Sequence, residues 1–284
     1  MGKINLIWQT APGDQTSFEL EYITEVLFSE VQFDKFFDGG SLKTVLDNSV
    51  IIYSSMRGYV SPEFISYLNS FKSNGFTFYL LHLSNERPED PCNYYSLAKH
   101  VFRSYYAPEM AKENVTFIPL GFKSGYLNRY KKFTDCDQKD ISACFIGHPK
   151  SDRNELIQVL DGVNSSFVHK TNAWNCPTSL SSEQCSEIYK RSKYAPCPMG
   201  WIHPDSFRIS ESLEWGCVPI IKRHNGVDYF QNIFPGHPMP VVSSWAEIPS
   251  VIEKEGYCSL RDKVQEWYIG YIEDLKQKIK NIIQ

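Results

Sequence analysis

Residues 194–221 read YAPCPMGWIHPDSFRISESLEWGCVPII. The apolar Tyr194-Ala195-Pro196 reads as a short strand running into Pro196-Cys197-Pro198-Met199-Gly200, a loop stiffened by its prolines. Asp205 or Ser206 can then cap a helix. Arg208 falls in that helix's first turn, and Glu211 lies one turn on, on the same face. The helix stops near Gly216, and 218–221 is strand again. A helix N-terminus offers unpaired N–H groups and a partial positive charge, and Arg208 adds a fork matched to phosphate oxygens. On residue chemistry alone this is either an anion site, with Glu211 taking ribose hydroxyls, or an ordinary capped helix with an Arg208–Glu211 surface pair.

The rest of the chain repeats the alternation. Strands are expected over 4–8, 49–54, 76–83, 100–105 and 115–120 in the first half, with helices over 17–30, 62–73 and 93–99. In the second half strands are expected over 141–146, 166–169, 194–196, 218–222 and 240–242, with helices over 152–160, 182–192, 206–215 and 245–253. Continuous apolar runs such as Val50-Ile51-Ile52-Tyr53 suit strands buried on both faces of a parallel sheet. The expected class is therefore α/β with doubly wound sheets. At 284 residues the chain has room for about two domains. They are placed at 1–130 and 131–259, with the polar stretch 126–140 as the connection. Residues 260–284 form a closing amphipathic helix that packs across the domains.

Composition narrows the function. A net charge of −4 argues against a nucleic-acid binder, and no apolar run is long enough for a membrane span. Aromatics reach 14%, which suits either a large core or the stacking of sugars and flat rings. The eight cysteines form no Cys-x-x-Cys pair and several sit in apolar runs, so the expectation is buried free thiols in a reducing compartment and no zinc site. Gly-x-Gly-x-x-Gly after a strand is absent, against a dinucleotide oxidoreductase.

The 194–221 segment resembles the donor-site signature of exostosin-like glycosyltransferases, a family of GT-B architecture. The matching residues are Cys197-Pro198-Met199-Gly200, Ser206-Phe207-Arg208, Glu211 and Gly216-Cys217-Val218-Pro219-Ile220-Ile221. Phe145-Ile146-Gly147-His148-Pro149-Lys150-Ser151-Asp152-Arg153 is similar to the turn that opens the donor domain in such enzymes. The resemblance implies two Rossmann-like domains facing across a cleft, the second binding a UDP-sugar and the first a glycan acceptor. It implies that Ser206 and Arg208 hold the donor diphosphate and Glu211 the ribose. Gly147, His148, Lys150, Arg153, Pro198, Gly200, Trp201, His203 and Asp205 complete the expected donor-binding set. Trp201 can stack on a base or sugar, or plug the core.

The implied reaction is sugar transfer with inversion, needing one general base for the acceptor hydroxyl. Glu86 lies just past the apolar strand around Leu80-Leu81-His82-Leu83, and Asp14 in the loop after the first strand, so these two lead, with Asp90 and Asp205 behind. Asp135-Cys136-Asp137 matches a metal-binding pattern of another glycosyltransferase architecture, but here it lies in the polar connection with no strand entering it. No metal or other cofactor is expected. The first-half loops look most like xylosyltransferase-type members, so UDP-xylose leads as donor. The expected setting is a compact soluble microbial or viral enzyme in the cytoplasm, or a Golgi-lumenal domain if the chain is excised. The competing class is a non-catalytic glycan- or nucleotide-binding α/β protein.

Overall fold

The computed structural model describes residues 2–9, 18–55, 59–86, 89–173 and 176–284. They form two compact units. One contains Met1–Leu120, Trp201–His203 and Ile272–Gln284; the other contains Gly121–Gly200 and Pro204–Tyr271.

The first unit is built on β1 (Ile4–Trp8), β2 (Phe33–Phe37), β3 (Ser49–Ser54), β4 (Phe78–Leu83), β5 (His100–Arg103) and β6 (Val115–Phe117). The strands pair in parallel in the order β2-β1-β3-β4-β5-β6. After β1 comes α1 (Leu20–Tyr22), which runs on into a π-turn over Ile23–Leu27. After β3 comes α2 (Pro62–Ser73). Ser61 starts α2 by accepting a hydrogen bond from the Phe64 N–H, and Pro62 supplies a preset φ where no donor is needed. Phe64, Tyr67, Leu68 and Phe71 then recur on one face and pack on Ile7, Ile51, Tyr53 and Leu80 of the sheet. Each such side chain contributes about 1.5–3 kcal/mol on burial.

Two elements differ from expectation. β2 was not anticipated. Among the described residues it is an edge strand paired with β1 alone, and its sequence FDKFF leaves Asp34, Lys35 and Phe37 exposed, so it lacks the apolar run of a central strand. Residues 93–99 form only a 3-10 turn, Asn93–Leu97, entered through Cys92 in a left-handed conformation. Beneath that turn lies a buried polar network. His82 bonds Tyr95 and Ser55 at 2.6 Å each, and the Arg103 guanidinium donates to the Tyr95 hydroxyl at 2.7 Å. Burial, and then the Arg103 charge, holds the His82 imidazole well below its usual range, so it is neutral.

The second unit contains β7 (Ile141–Gly147), α3 (Arg153–Asp161), β8 (Phe167–Lys170), α4 (Ser182–Arg191), β9 (Ser192–Pro196), α5 (Phe207–Glu214), β10 (Val218–Lys222), β11 (Val241–Val242) and α6 (Ile248–Glu253). Its parallel sheet runs β11-β10-β9-β7-β8. α7 (Tyr257–Ile283) closes the chain. Val264, Tyr268, Ile272, Leu275, Ile279 and Ile283 are its buried stripe, spaced three or four apart as an amphipathic helix requires.

The polar stretch 126–140 belongs to the second unit rather than hanging between domains. Its Lys139 is buried and donates to the carbonyls of Lys190 at 2.8 Å and Ser192 at 2.9 Å, capping the end of α4 with a cation. Cys136 is joined to Cys258, at the start of α7, by a disulfide. That corrects the expectation of free thiols for these two; Cys92, Cys144, Cys185, Cys197 and Cys217 are buried and unbridged. Spacing could not reveal the pair, because its partners are 122 residues apart. Among the described residues, no helix is long and apolar enough to cross a membrane.

Candidate active site

In a doubly wound sheet, ligands bind beyond the carboxyl ends of the strands where the connections change direction. In the second unit that point lies between β7 and β9. Gly147 ends β7 there, and the loop after β9 leads into α5. Gly147 has φ +154, and a Cβ at this position would collide with Nη2 of Arg208. Arg208 lies along the gap, its Nε donating to the Ile146 carbonyl at 3.1 Å and its guanidinium 5.4 Å from the Phe145 ring centre. Ser206 is the N-cap of α5, but its hydroxyl makes no capping bond. The Ser206 Oγ is buried with no hydrogen-bond partner. A buried hydroxyl without a partner is costly, and this one sits at the positive end of a helix beside an arginine.

Glu211 follows one turn into α5 and is 6% exposed. Burial pushes its carboxyl up to about 7, opposed by the charges of Lys123 and Arg208. The phenols of Tyr126 and Tyr189 stand close enough to feel that charge. Lys123, Tyr126 and Tyr189 had no signal in the sequence, since their neighbourhood to Glu211 exists only after folding. Glu214, one turn further and 1% exposed, has a different task. It pairs with Lys131 at 2.5 Å and accepts from the Tyr268 hydroxyl at 2.9 Å, holding residues 128–131 and α7 to α5.

Other expected donor residues are placed as follows. Arg153 is 6% exposed and its guanidinium donates to the carbonyls of His148, Met199 and Gly200, so it braces the loops instead of presenting a charge to a ligand. His148 is half-buried, its Nδ1 3.0 Å from the Thr171 carbonyl. Lys150 and Gly200 are half-buried, and Pro198 and Asp205 are buried. Trp201 is 70% exposed, which removes the core-plug alternative.

Within the first unit, Glu86 lies beyond β4. Its Oε2 accepts from the backbone N–H groups of Trp201, Ile202 and His203 at 3.1, 2.8 and 3.4 Å, and its Oε1 faces the Tyr105 hydroxyl at 3.4 Å. His203 packs edge-on against Tyr105, with ring centres 4.5 Å apart. Asp90 is spent on the N–H of Cys92 at 2.8 Å. Asp14 lies outside the described residues. Among the described residues, no three His, Cys, Asp or Glu side chains converge as a metal site; Asp135 and Asp137 flank the disulfide-bonded Cys136.

One carboxyl escaped the sequence reading. Glu19, at the start of α1, is 1% exposed and its pKa is pushed up to about 8 by burial. The logic that selected Asp14, a carboxylate following the first strand, reaches Glu19 five residues later.

The sequence model described as the RXYLT1 C-terminal domain matches residues 127–284, which contain the whole of the Gly147–Ser206–Arg208–Glu211 arrangement. The chain belongs to the RXYLT1 C-terminal domain family. This agrees with the exostosin-like, xylosyltransferase-type pattern of 194–221. Ribitol-5-phosphate xylosyltransferase 1 of Homo sapiens is 24% identical over 172 residues, covering 52% of this chain and 39% of that protein. The Mus musculus protein of the same name is 26% identical over 172 residues, covering 52% and 38%. The matched region is thus about two-fifths of the length of these relatives. Among solved structures, that of Anabaena HepE in complex with UDP superposes with a TM-score of 0.52 over 99% of both chains, at 13% identity. That likeness is one of fold, and the fold of this RXYLT1-family chain is the expected GT-B-like α/β type.

Proposed function

We propose that this chain is a glycosyltransferase that transfers a sugar, with UDP-xylose the leading donor, to an acceptor hydroxyl with inversion at the anomeric carbon. The relatives' name supports the choice of xylose, and points to an acceptor that carries ribitol 5-phosphate. The observation that carries the reading is the partnerless Ser206 hydroxyl at the N-terminus of α5, two residues before Arg208, whose guanidinium occupies the space that Gly147 leaves.

In this reading the donor diphosphate lies on the first turn of α5. Ser206 donates to one phosphate oxygen, and Arg208 neutralises the charge that grows on the leaving diphosphate. His148, Lys150, Pro198, Gly200 and Asp205 shape the surrounding loops, and Glu211 receives ribose hydroxyls. The acceptor hydroxyl gives its proton to a carboxylate as its oxygen bonds to the anomeric carbon. The bond from that carbon to the diphosphate breaks, and its electron pair leaves with UDP. Glu86 is the leading proton acceptor: three N–H groups fix Oε2 in place, which leaves Oε1, beside Tyr105, to take the proton. Asp14 is the second candidate. No step requires a metal ion. The Cys136–Cys258 disulfide favours an oxidising compartment over a reducing one.

The test is UDP release with a panel of nucleotide sugars and a ribitol 5-phosphate acceptor, in EDTA. UDP-xylose-dependent release that Arg208→Ala abolishes supports the reading. Turnover unaffected by Arg208→Ala removes the diphosphate role, and stabilisation by NAD but not UDP overturns the class.

A further inference from the structure

The sequence carries two Asn-x-Ser/Thr triplets, Asn114-Val115-Thr116 and Asn164-Ser165-Ser166. Such a triplet is the acceptor pattern for N-linked glycosylation, a modification of chains that pass through a secretory lumen. Disulfides form in that same lumen, and Cys136–Cys258 is one. The disulfide therefore gives the triplets a setting in which their chemistry can occur.

The fold treats the two asparagines differently. Asn114 is half-buried just before β6. Its Nδ2 donates to the carbonyls of Tyr95 at 3.0 Å and Ala98 at 3.5 Å, fastening the 3-10 turn at 93–97. Thr116, the third residue of that triplet, is 6% exposed, and its hydroxyl is 2.9 Å from His100 Nε2. A sugar on the Asn114 Nδ2 would replace one of its hydrogens and need open space beyond it. A chain modified there loses a tie that the folded first unit uses.

Asn164 stands in the turn between α3 and β8 and is exposed. The turn is shaped by other groups. The Gly162 and Val163 N–H groups donate to the carbonyls of Val159 and Leu160 at 3.1 and 3.0 Å, Ser165 adopts a φ of +58, and the Ser166 hydroxyl donates to the Leu160 carbonyl at 2.7 Å. None of these bonds uses the Asn164 side chain. The turn also belongs to the end of the sheet away from the Gly147–Arg208 arrangement. The Ser165 carbonyl accepts from the Ser142 N–H at 2.9 Å, near the start of β7, whereas Gly147 ends that strand. Five residues of extended chain separate the two ends by roughly 16 Å.

We propose that Asn164 carries an N-linked glycan and that Asn114 does not. The donor is a lipid-linked oligosaccharide diphosphate. The Asn164 amide nitrogen bonds to the anomeric carbon of its first sugar and gives up one proton. The bond from that carbon to the diphosphate breaks, and its electron pair leaves with the lipid diphosphate. The inference rests on the disulfide and the exposure of the turn, and not on the transferase reading.

The test is expression of the full chain behind a secretion leader in cultured animal cells, followed by glycopeptide mapping before and after peptide-N-glycosidase. If the chain is retained, the same mapping is made on protein from the cells' membrane fraction. The 164–166 peptide should carry a glycan whose removal leaves aspartate at 164, while the 114–116 peptide stays unmodified. Asn164→Gln should lack the glycan and keep the Cys136–Cys258 bridge. An unmodified Asn164 in disulfide-bonded chain overturns the site, and a glycan on Asn114 in folded chain overturns the distinction between the two.

Discussion

Gly147 and Arg208 occupy one another's space: the guanidinium lies where a side chain at position 147 would begin. The glycine is required twice, by that contact and by a φ of +154 that L-residues rarely adopt. Gly147→Ala should therefore displace Arg208 from the end of β7 and weaken UDP binding by about tenfold or more, equivalent to ~1.4 kcal/mol. Titration calorimetry with UDP checks this. Arg208→Ala in the same background should add little, because the two substitutions remove one interaction. Full additivity would show that Gly147 acts by another route.

Glu86→Gln tests the proton acceptor. The amide keeps an oxygen that can accept from the N–H groups of Trp201, Ile202 and His203, so the loop should stay in place. It lacks the basicity to take a proton. Turnover should fall about a hundredfold or more, in the range typical for loss of a general base, while UDP affinity holds. If turnover survives and Asp14→Asn abolishes it, the roles belong the other way round.

The alternation of strands and helices was legible because parallel strands buried on both faces leave continuous apolar runs, as in Val50–Tyr53 and Leu80–Leu83. The edge strand β2 was not, because three of its five residues face solvent and its FDKFF reads as neither period. Ser206, Arg208 and Glu211 could be read as a set because one short helix carries all three. Arg153 reads as a free cation in the sequence, since nothing local shows that its guanidinium will meet the carbonyls of Met199 and Gly200, 46 and 47 residues away. Glu19 was hidden for the same reason: its burial depends on what folds over it.

The Cys136–Cys258 bond closes a long loop and fastens the polar segment of the second unit to the start of α7. A cross-link of this kind contributes typically about 2–4 kcal/mol by restricting the unfolded chain. Cys136→Ser with Cys258→Ser should lower the urea midpoint accordingly, and dithiothreitol should lower the wild-type melting temperature but not that of the double variant. Equal sensitivity of both proteins to reductant would show that the bridge is not formed.

Glu19 and Glu211 make stability depend on pH in a sense opposite to the usual surface carboxylate. Burial raises both carboxyls, to about 8 and about 7. Ser84 and its own backbone act on Glu19 in the other direction, and Lys123 and Arg208 act so on Glu211. Between the unfolded carboxyl range, near 4.5, and these raised values, the folded chain binds more protons than the unfolded one. Stability from these groups is thus fully present below that range and is lost as pH rises through 7 to 8. Melting temperatures measured from pH 5 to pH 9 should fall for the wild type. Glu19→Gln, which cannot ionise, should match it at pH 5 and exceed it at pH 9. Parallel curves for the two proteins would mean that Glu19 is ionised in the folded chain.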